Sequence, residues 1–358
     1  MRYFIYAFLS LLVIFRYLTT LPNYKDGDTI RITGRVTTEP FRYQYSQRIE
    51  VAGLGVYLDK FPEVNYGDEV TLTGVVKAGE LRDAELSDHR PGTNFLLNIR
   101  QQIISFYNKV LPEPHNALVA GVVLGSKAGI SRDFREDLIN SGTIHVVVAS
   151  GMNVTLVAGF LLNSTVTVLP RKKAIPLALA GVWLYVLLSG LDAPLVRAAI
   201  MGSIAFTAQV VGRLNDALRA LFVSALIMLL VNPRWAGDLG FQLSFLATLS
   251  LILFESKVYR LTGFVPVKML RKDLSTTLAA QLGVLPLLIG VFGRVSLAAP
   301  VTNTLVLWTI APIMIIGSLG GIAGLVFEPL GRVITLLVFP MTEWFILIIN
   351  LIAPIKHQ

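Results

Sequence analysis

Two patterns of hydrophobic positions divide the 358-residue chain. Period-two alternation marks parts of residues 23–92, and long apolar runs fill most of the rest. In GDTIRITGRV (27–36), Ile30, Ile32 and Val36 share one face while Arg31, Thr33 and Arg35 take the other. GDEVTLTGVV (67–76) repeats the pattern with Val70, Leu72 and Val76, and both segments open on a Gly-Asp turn, so both are read as strands. Between them QRIEVAGLGVYL predicts a third strand whose register changes around Gly53, as at a bulge. Short strands with glycine bends predict a small β-barrel domain over 23–92, OB-like in class.

The apolar runs begin at residues 3–21, long enough at about 1.5 Å per residue to cross most of the hydrocarbon core. No small-x-small site comes after the run, and Arg16 is placed to snorkel, so residues 1–22 are read as an uncleaved anchor rather than a signal peptide. Residues 94–111 carry Phe95, Ile99, Ile103, Phe106 and Val110 on one helical stripe, with Arg100, Gln101, Asn108 and Lys109 elsewhere. This helix and the one capped by Ser131 assign 93–142 to amphipathic interfacial helices. The same stripe would also suit docking on a helical bundle. The short run 117–125 is too brief to cross and reads as re-entrant. From 143 to 358, apolar segments at 143–169, 174–190, 193–211, 217–231, 238–254, 274–292, 302–325 and 329–352 bring the expected crossings to about nine. The fold class expected is a polytopic α-helical membrane protein with an N-terminal anchor and a small extracytoplasmic β-barrel.

Composition agrees: 54% of residues are hydrophobic and 15% charged, against about a quarter charged in soluble domains. The absence of cysteine removes disulfides and thiolate metal sites, and the four histidines lack metal-ligand spacing, so no cofactor is expected. Residues 1–92 hold 11 Lys and Arg against 12 Asp and Glu, whereas 93–358 hold 20 against 11. Arg171, Lys172, Lys173, Arg213, Arg219, Lys257, Arg260, Lys268, Arg271, Lys272 and Arg332 fall in alternate loops. The positive-inside rule then places the N-terminus in the cytoplasm, with the barrel and C-terminus outside, in the cytoplasmic membrane among its lipids.

Several crossings suit a polar interior better than a lipid contact. Ser150-Gly151 breaks one run, Gly283 and Pro286 fall in another, and 217–231 rises only about 22 Å. The polar residues in these runs are His145, Ser150 and Asn153; Asp192 and Arg197; Asp238 and Gln242; Gln281; and Asn303. Such groups are costly at membrane depth and mark a path or partner. Alternatively, the aspartates cap helices and the amides join helices. In the barrel, Phe41, Arg42, Tyr43, Tyr45 and Arg48 interleave aromatic and basic residues, as single-strand-binding surfaces do, or simply pack the rim.

With these residues in hand, GTIHVVVASGMNV resembles the signature of ComEC-type competence proteins. DAPLVRAAIM followed by Gly212-Arg213, NPRWAGDLGFQLSFLAT and QLGVLPLLIGVFGRVSLAAPVTNTL resemble further family blocks in the family's order. The resemblance implies a membrane channel that takes up single-stranded transforming DNA. It implies as channel residues His145, Ser150, Gly151, Asn153, Asp192, Arg197, Arg213, Asp238, Gln242, Gln281 and Asn303. It further implies an extracellular DNA receptor or pilus, a cytoplasmic helicase-like ATPase, single-strand-binding proteins and a separate nuclease as partners. The second histidine of the family signature is Asn153 here, which hydrogen-bonds without titrating.

The chain shows neither HxHxDH nor a phosphate-binding GxxxxGK[ST] loop, so it is expected to be a channel rather than a nuclease or ATPase. Two other functions compete. An intramembrane serine hydrolase would use Ser150 as nucleophile with His145 upstream. An exporter of small or lipidic molecules would fit the hydropathy but gives the outer domain no task.

Overall fold

The computed structural model describes residues 2–20, 25–43, 45–92, 94–148, 150–212, 216–292, 296 and 298–353. After α1 (Arg2–Thr20) come β1 (Thr29–Arg35), β2 (Phe41–Arg42), β3 (Ser46–Val51), β4 (Leu54–Asp59), β5 (Glu69–Lys77) and β6 (Glu80–Arg90). Period-two alternation sorts these strands as expected: Ile32, Val36, Val70, Leu72 and Val76 are buried with Ile49, Val51, Val56 and Leu81 in one core.

The closed barrel gives way to one six-stranded mixed sheet, ordered β1-β5-β6-β4-β3-β2, antiparallel except where β4 meets β6. An isolated bridge, Val36 to Val51, and the Thr37 hydroxyl donating to Glu50 O at 3.1 Å link the two sides of the gap. Pro40, just past it, has no N–H to extend the ladder. The strand with a bulge is also corrected. β3 and β4 form a hairpin around Ala52 and Gly53, at φ 53° and 82°, the two positive φ values of a type I′ turn.

The helical part begins with α2 (Phe95–Val110), α3 (His115–Leu124) and α4 (Arg132–Asn140). The stripe of α2 docks on protein: Ile103, Phe106 and Tyr107 are buried, and Tyr107 donates to Gly317 O at 2.8 Å. All ten residues of α3 are buried, between α2 and two later helices. Arg100 departs from its expected polar face and is buried with them.

The bundle continues with α5 (Ile144–Val147), α6 (Gly151–Val166), α7 (Arg171–Leu188), α8 (Ala193–Val210), α9 (Ala217–Val231), α10 (Leu239–Leu261), α11 (Lys268–Phe292), α12 (Ala299–Val326), α13 (Glu328–Leu336) and α14 (Phe339–Ile352). Among the described residues five spans are long and apolar enough to cross a membrane, counting α5 with α6 as one (Ile144–Val166), or six with the 44° bent pair α13 and α14 taken as one span. The nine crossings expected therefore include pieces that do not qualify alone: α9 has 15 residues, and α7 opens on Arg171, Lys172 and Lys173. Length and charge both count against them.

From α6 to α12 each helix packs on the next through a short connection, as antiparallel neighbours do. Tyr66 of the β domain donates to Gly190 O at 3.0 Å after α7, and Arg234 after α9 reaches Ala52 O. The β domain therefore sits at the end of the bundle opposite Arg171–Lys173 and the Lys268–Lys272 cluster.

Candidate functional site

Ser150, Asn153 and Arg197 meet at the break between α5 and α6. Ser150 is in the extended region and precedes the first residue of α6, but its hydroxyl does not cap the helix. It donates to Asn153 Oδ1 at 3.1 Å, and the buried Asn153 donates through Nδ2 to Val122 O of α3 at 3.0 Å. Asn153 thereby satisfies a carbonyl near the end of α3, where helices leave acceptors unpaired.

Arg197, on the second turn of α8, reaches the same break and is 8% exposed. Its Nε donates to Ser244 Oγ of α10 at 2.7 Å, its Nη1 lies 3.4 Å from Met201 Sδ, and its guanidinium stands 5.9 Å from the Phe245 ring centre. A Cβ on Gly151 would lie 2.7 Å from Nη2, so the glycine is what admits the guanidinium to the start of α6.

No carboxylate among the described residues pairs with Arg197. The start of α6 is itself the positive end of a helix dipole. A buried guanidinium thus meets the half-buried start of a helix with no anion among the described residues, an arrangement that is costly alone and favourable around one. His145 is exposed, and Ser150 has no hydrogen bond to it among the described residues.

A second cluster lies under the β domain. Glu39 on the loop between β1 and β2 is paired with Arg100 at 3.3 Å and accepts from Ser126 Oγ at 2.7 Å and from the Lys127 N–H. Lys127 Nζ holds Asp192 at 3.0 Å. Arg100 also donates to Leu124 O at 2.6 Å and Leu188 O at 3.2 Å. That accounts for its burial: a charge can be buried where acceptors and a counter-charge surround it. Burial keeps the Tyr66 phenol above its usual range, so it stays a donor to Gly190. The free space at this junction measures about 10 Å³, about the room one water needs. The junction is closed to a nucleotide.

Asp238, exposed, caps α10 by accepting from Phe241 N at 2.7 Å, and Gln242 donates to Ala236 O at 2.8 Å. Gln281 is half-buried on α11, and Asn303 is buried on α12 with its Oδ1 unpaired among the described residues. Arg213 lies outside the described residues. In the β domain, Arg42 pairs with Glu63 at 3.2 Å and Arg48 with Glu80 at 3.6 Å. Phe41 lies under the Arg135 guanidinium, 4.8 Å from its ring centre, while Tyr43 and Tyr45 are exposed.

The structure therefore gathers Ser150, Gly151, Asn153 and Arg197, sets Asp192 in the neighbouring cluster, and leaves Asp238, Gln242, Gln281 and Asn303 in separate settings. Sequence reasoning missed Glu39, Tyr66, Arg100, Ser126, Lys127 and Ser244. Their types are ordinary and only the fold brings them together.

A family model described as "Competence protein" matches residues 122–358. The chain belongs to the competence protein family. It is 30% identical over 261 residues to ComE operon protein 3 of Bacillus subtilis (strain 168), covering 71% of this chain and 32% of that protein. It is 32% identical over 159 residues to an uncharacterized protein of Aquifex aeolicus (strain VF5), covering 44% of this chain and 38% of that one. The chain thus spans about a third of the length of the curated relatives it matches. No solved structure matches it. The matched region contains the α5–α6 break, Arg197 and Ser244, and leaves out the β domain and Arg100.

Proposed function

We propose that the chain forms the membrane passage for single-stranded DNA in competence, with Arg197 and the start of α6 on the path of the phosphates. One observation carries this reading: a buried guanidinium set against a helix N-terminus, with no carboxylate to neutralise either among the described residues. A strand with one charge per nucleotide needs such anion-stabilising points along a hydrated route through a low-dielectric slab. Family membership supports the same direction.

In this reading the β domain faces outward and the basic ends of α7 and α11 face the cytoplasm, in keeping with the positive-inside rule. The sheet order of the β domain, with its parallel β4–β6 pair, supports an OB-like class for it. Tyr43 and Tyr45 are its accessible stacking groups, whereas the ion-paired Arg42 and Arg48 would have to exchange carboxylates for phosphates. Energy comes from a partner ATPase, and a DNA receptor or pilus outside and single-strand-binding proteins inside complete the route.

The test is transformation in a deletion strain complemented by the wild-type chain or by Arg197→Gln, with membrane insertion confirmed for both. Loss of uptake with surface DNA binding retained is the expected result. Unchanged uptake removes Arg197 from the path.

A further inference from the structure

The junction under the β domain sets helical-side donors against Glu39 of the β domain, with the one helical-side carboxylate described there, Asp192, already paired with Lys127 Nζ. The Arg100 guanidinium, the Ser126 hydroxyl and the Lys127 N–H all converge on Glu39. Arg100 is fixed from behind by the carbonyls of Leu124 and Leu188, so the edge it offers Glu39 is set in advance. Gly125, at φ 69°, ends α3 in a left-handed turn and redirects the chain into Ser126 and Lys127. A guanidinium, a hydroxyl and a backbone N–H aimed at one oxyanion make the donor set that also binds phosphate. Arg100 and Ser126 are 4% and 2% exposed, so the receptor is built into the bundle.

We propose that this cradle is a phosphodiester site which Glu39 fills in the closed state, and that an entering DNA strand displaces the carboxylate and releases the β domain from the bundle. The inference rests on the DNA-passage reading above. Carboxylate and phosphodiester each carry one negative charge, so the exchange leaves the charge of the site unchanged. What changes is the tether: Glu39 brings the β domain with it, whereas a phosphate brings the strand. Beyond Glu39, the polar contacts described between β domain and bundle include Tyr66 with Gly190, Arg234 with Ala52 and the Arg135 guanidinium over Phe41, none of them a close ion pair. Being tethered, Glu39 competes at an effective concentration of about millimolar or more, so the latch sets a threshold that a strand engaging several phosphates passes and a lone anion does not.

The full chain in phosphatidylcholine nanodiscs, probed with fluorescent oligothymidylate at fixed salt, tests this. Glu39→Gln and Glu39→Ala are each expected to bind the strand about tenfold more tightly, because the tethered competitor is gone. The chain has no cysteine, so spin labels at Lys77→Cys and Asp133→Cys report the distance between β domain and bundle in the same samples. That distance is expected to be narrow in the wild type, and broad in either Glu39 variant or with oligothymidylate added.

Unchanged affinity and distance in both variants overturn the latch while leaving the passage intact, provided that Arg197→Gln weakens binding. Failure of every form to bind the strand overturns both readings. Opening by phosphatidylglycerol nanodiscs but not by oligothymidylate assigns the cradle to lipid phosphate and overturns the proposal.

Discussion

Replacing Gly151 by alanine moves a charge without removing it. The new Cβ would stand 2.7 Å from Arg197 Nη2 and 3.4 Å from Ala198 Cβ. The second contact is ordinary and the first must yield, at the flexible end of a long side chain. A retreat of roughly 0.7 Å by the guanidinium restores van der Waals separation. At an effective dielectric of about 20, a phosphate about 4 Å from a guanidinium is held by about 4 kcal/mol, and about 0.7 Å of retreat removes about 0.6 kcal/mol, roughly threefold in occupancy. Gly151→Val forces a longer retreat, and Arg197→Gln removes the attraction altogether. The expected order of DNA uptake is therefore wild type, Gly151→Ala, Gly151→Val, Arg197→Gln, with a loss of about threefold at the first step. Gly151 is the first residue of α6 and is not at positive φ, so alanine there meets no backbone penalty, and thermal unfolding of Gly151→Ala should match that of the wild type. The assay pairs transformation frequency with membrane-inserted amount and melting temperature. Equal uptake across the inserted series refutes the electrostatic argument. A steep fall in melting temperature for Gly151→Ala refutes the steric one.

Arg100→Met leaves Glu39 paired only with neutral donors and strips two carbonyls of their donor, so it should destabilise the chain by about 3 kcal/mol, read as a lower melting temperature in detergent. Gly331→Ala should fail to fold, because its Cβ would lie 2.3 Å from the Gly324 backbone nitrogen and 2.8 Å from Gly320 O, neither of which can swing aside; wild-type-like expression and size-exclusion profile would contradict the α12–α13 packing. Burial raises Glu50 above its ordinary carboxylate value of 4.5, with Asp238 adding to the shift. The folded chain then binds that proton more tightly than the unfolded one, so this contribution is full below the unfolded value and is lost as pH rises through the folded one. Glu50→Gln should therefore raise the melting temperature near neutrality and flatten its fall with rising pH above the ordinary carboxylate range; an unchanged profile contradicts the burial of that charge.

The parts of this architecture that the sequence announces are those governed by local rules. Alternation exposes the inner faces of β1 and β5, because every second side chain must leave water. Ser131 and Asp238 mark helix starts, because a side-chain acceptor satisfies a free N–H there. The hairpin at Ala52-Gly53 is hidden, because alanine at positive φ gives no turn signal and is held there by pairing of the strands on either side. Arg100 is hidden for a related reason. Helical periodicity assigns an arginine to the polar side, yet its acceptors are carbonyls from the ends of α3 and α7 and a carboxylate from the β domain, 24, 88 and 61 positions away. At the helix break, Ser150, Gly151, Asn153 and Arg197 are visible as costly groups in apolar runs, but Ser244 is not, since a hydroxyl in a long helix normally bonds its own backbone. What sequence reasoning overextends is convergence: Asp238 and Gln242 are used in capping and turn contacts, away from the gathered cluster.

The most direct measurement is the water accessibility of that cluster. Because the chain has no cysteine, single replacements Ser150→Cys, Ser244→Cys and, as an exposed apolar control, Leu253→Cys report one position each. In membrane vesicles a charged, membrane-impermeant thiol reagent should modify the first two and not the third, and oligothymidylate should slow the reaction at both. Inert thiols at Ser150 and Ser244, indistinguishable from Leu253, would mean a dry bundle there and contradict a phosphate path past Arg197.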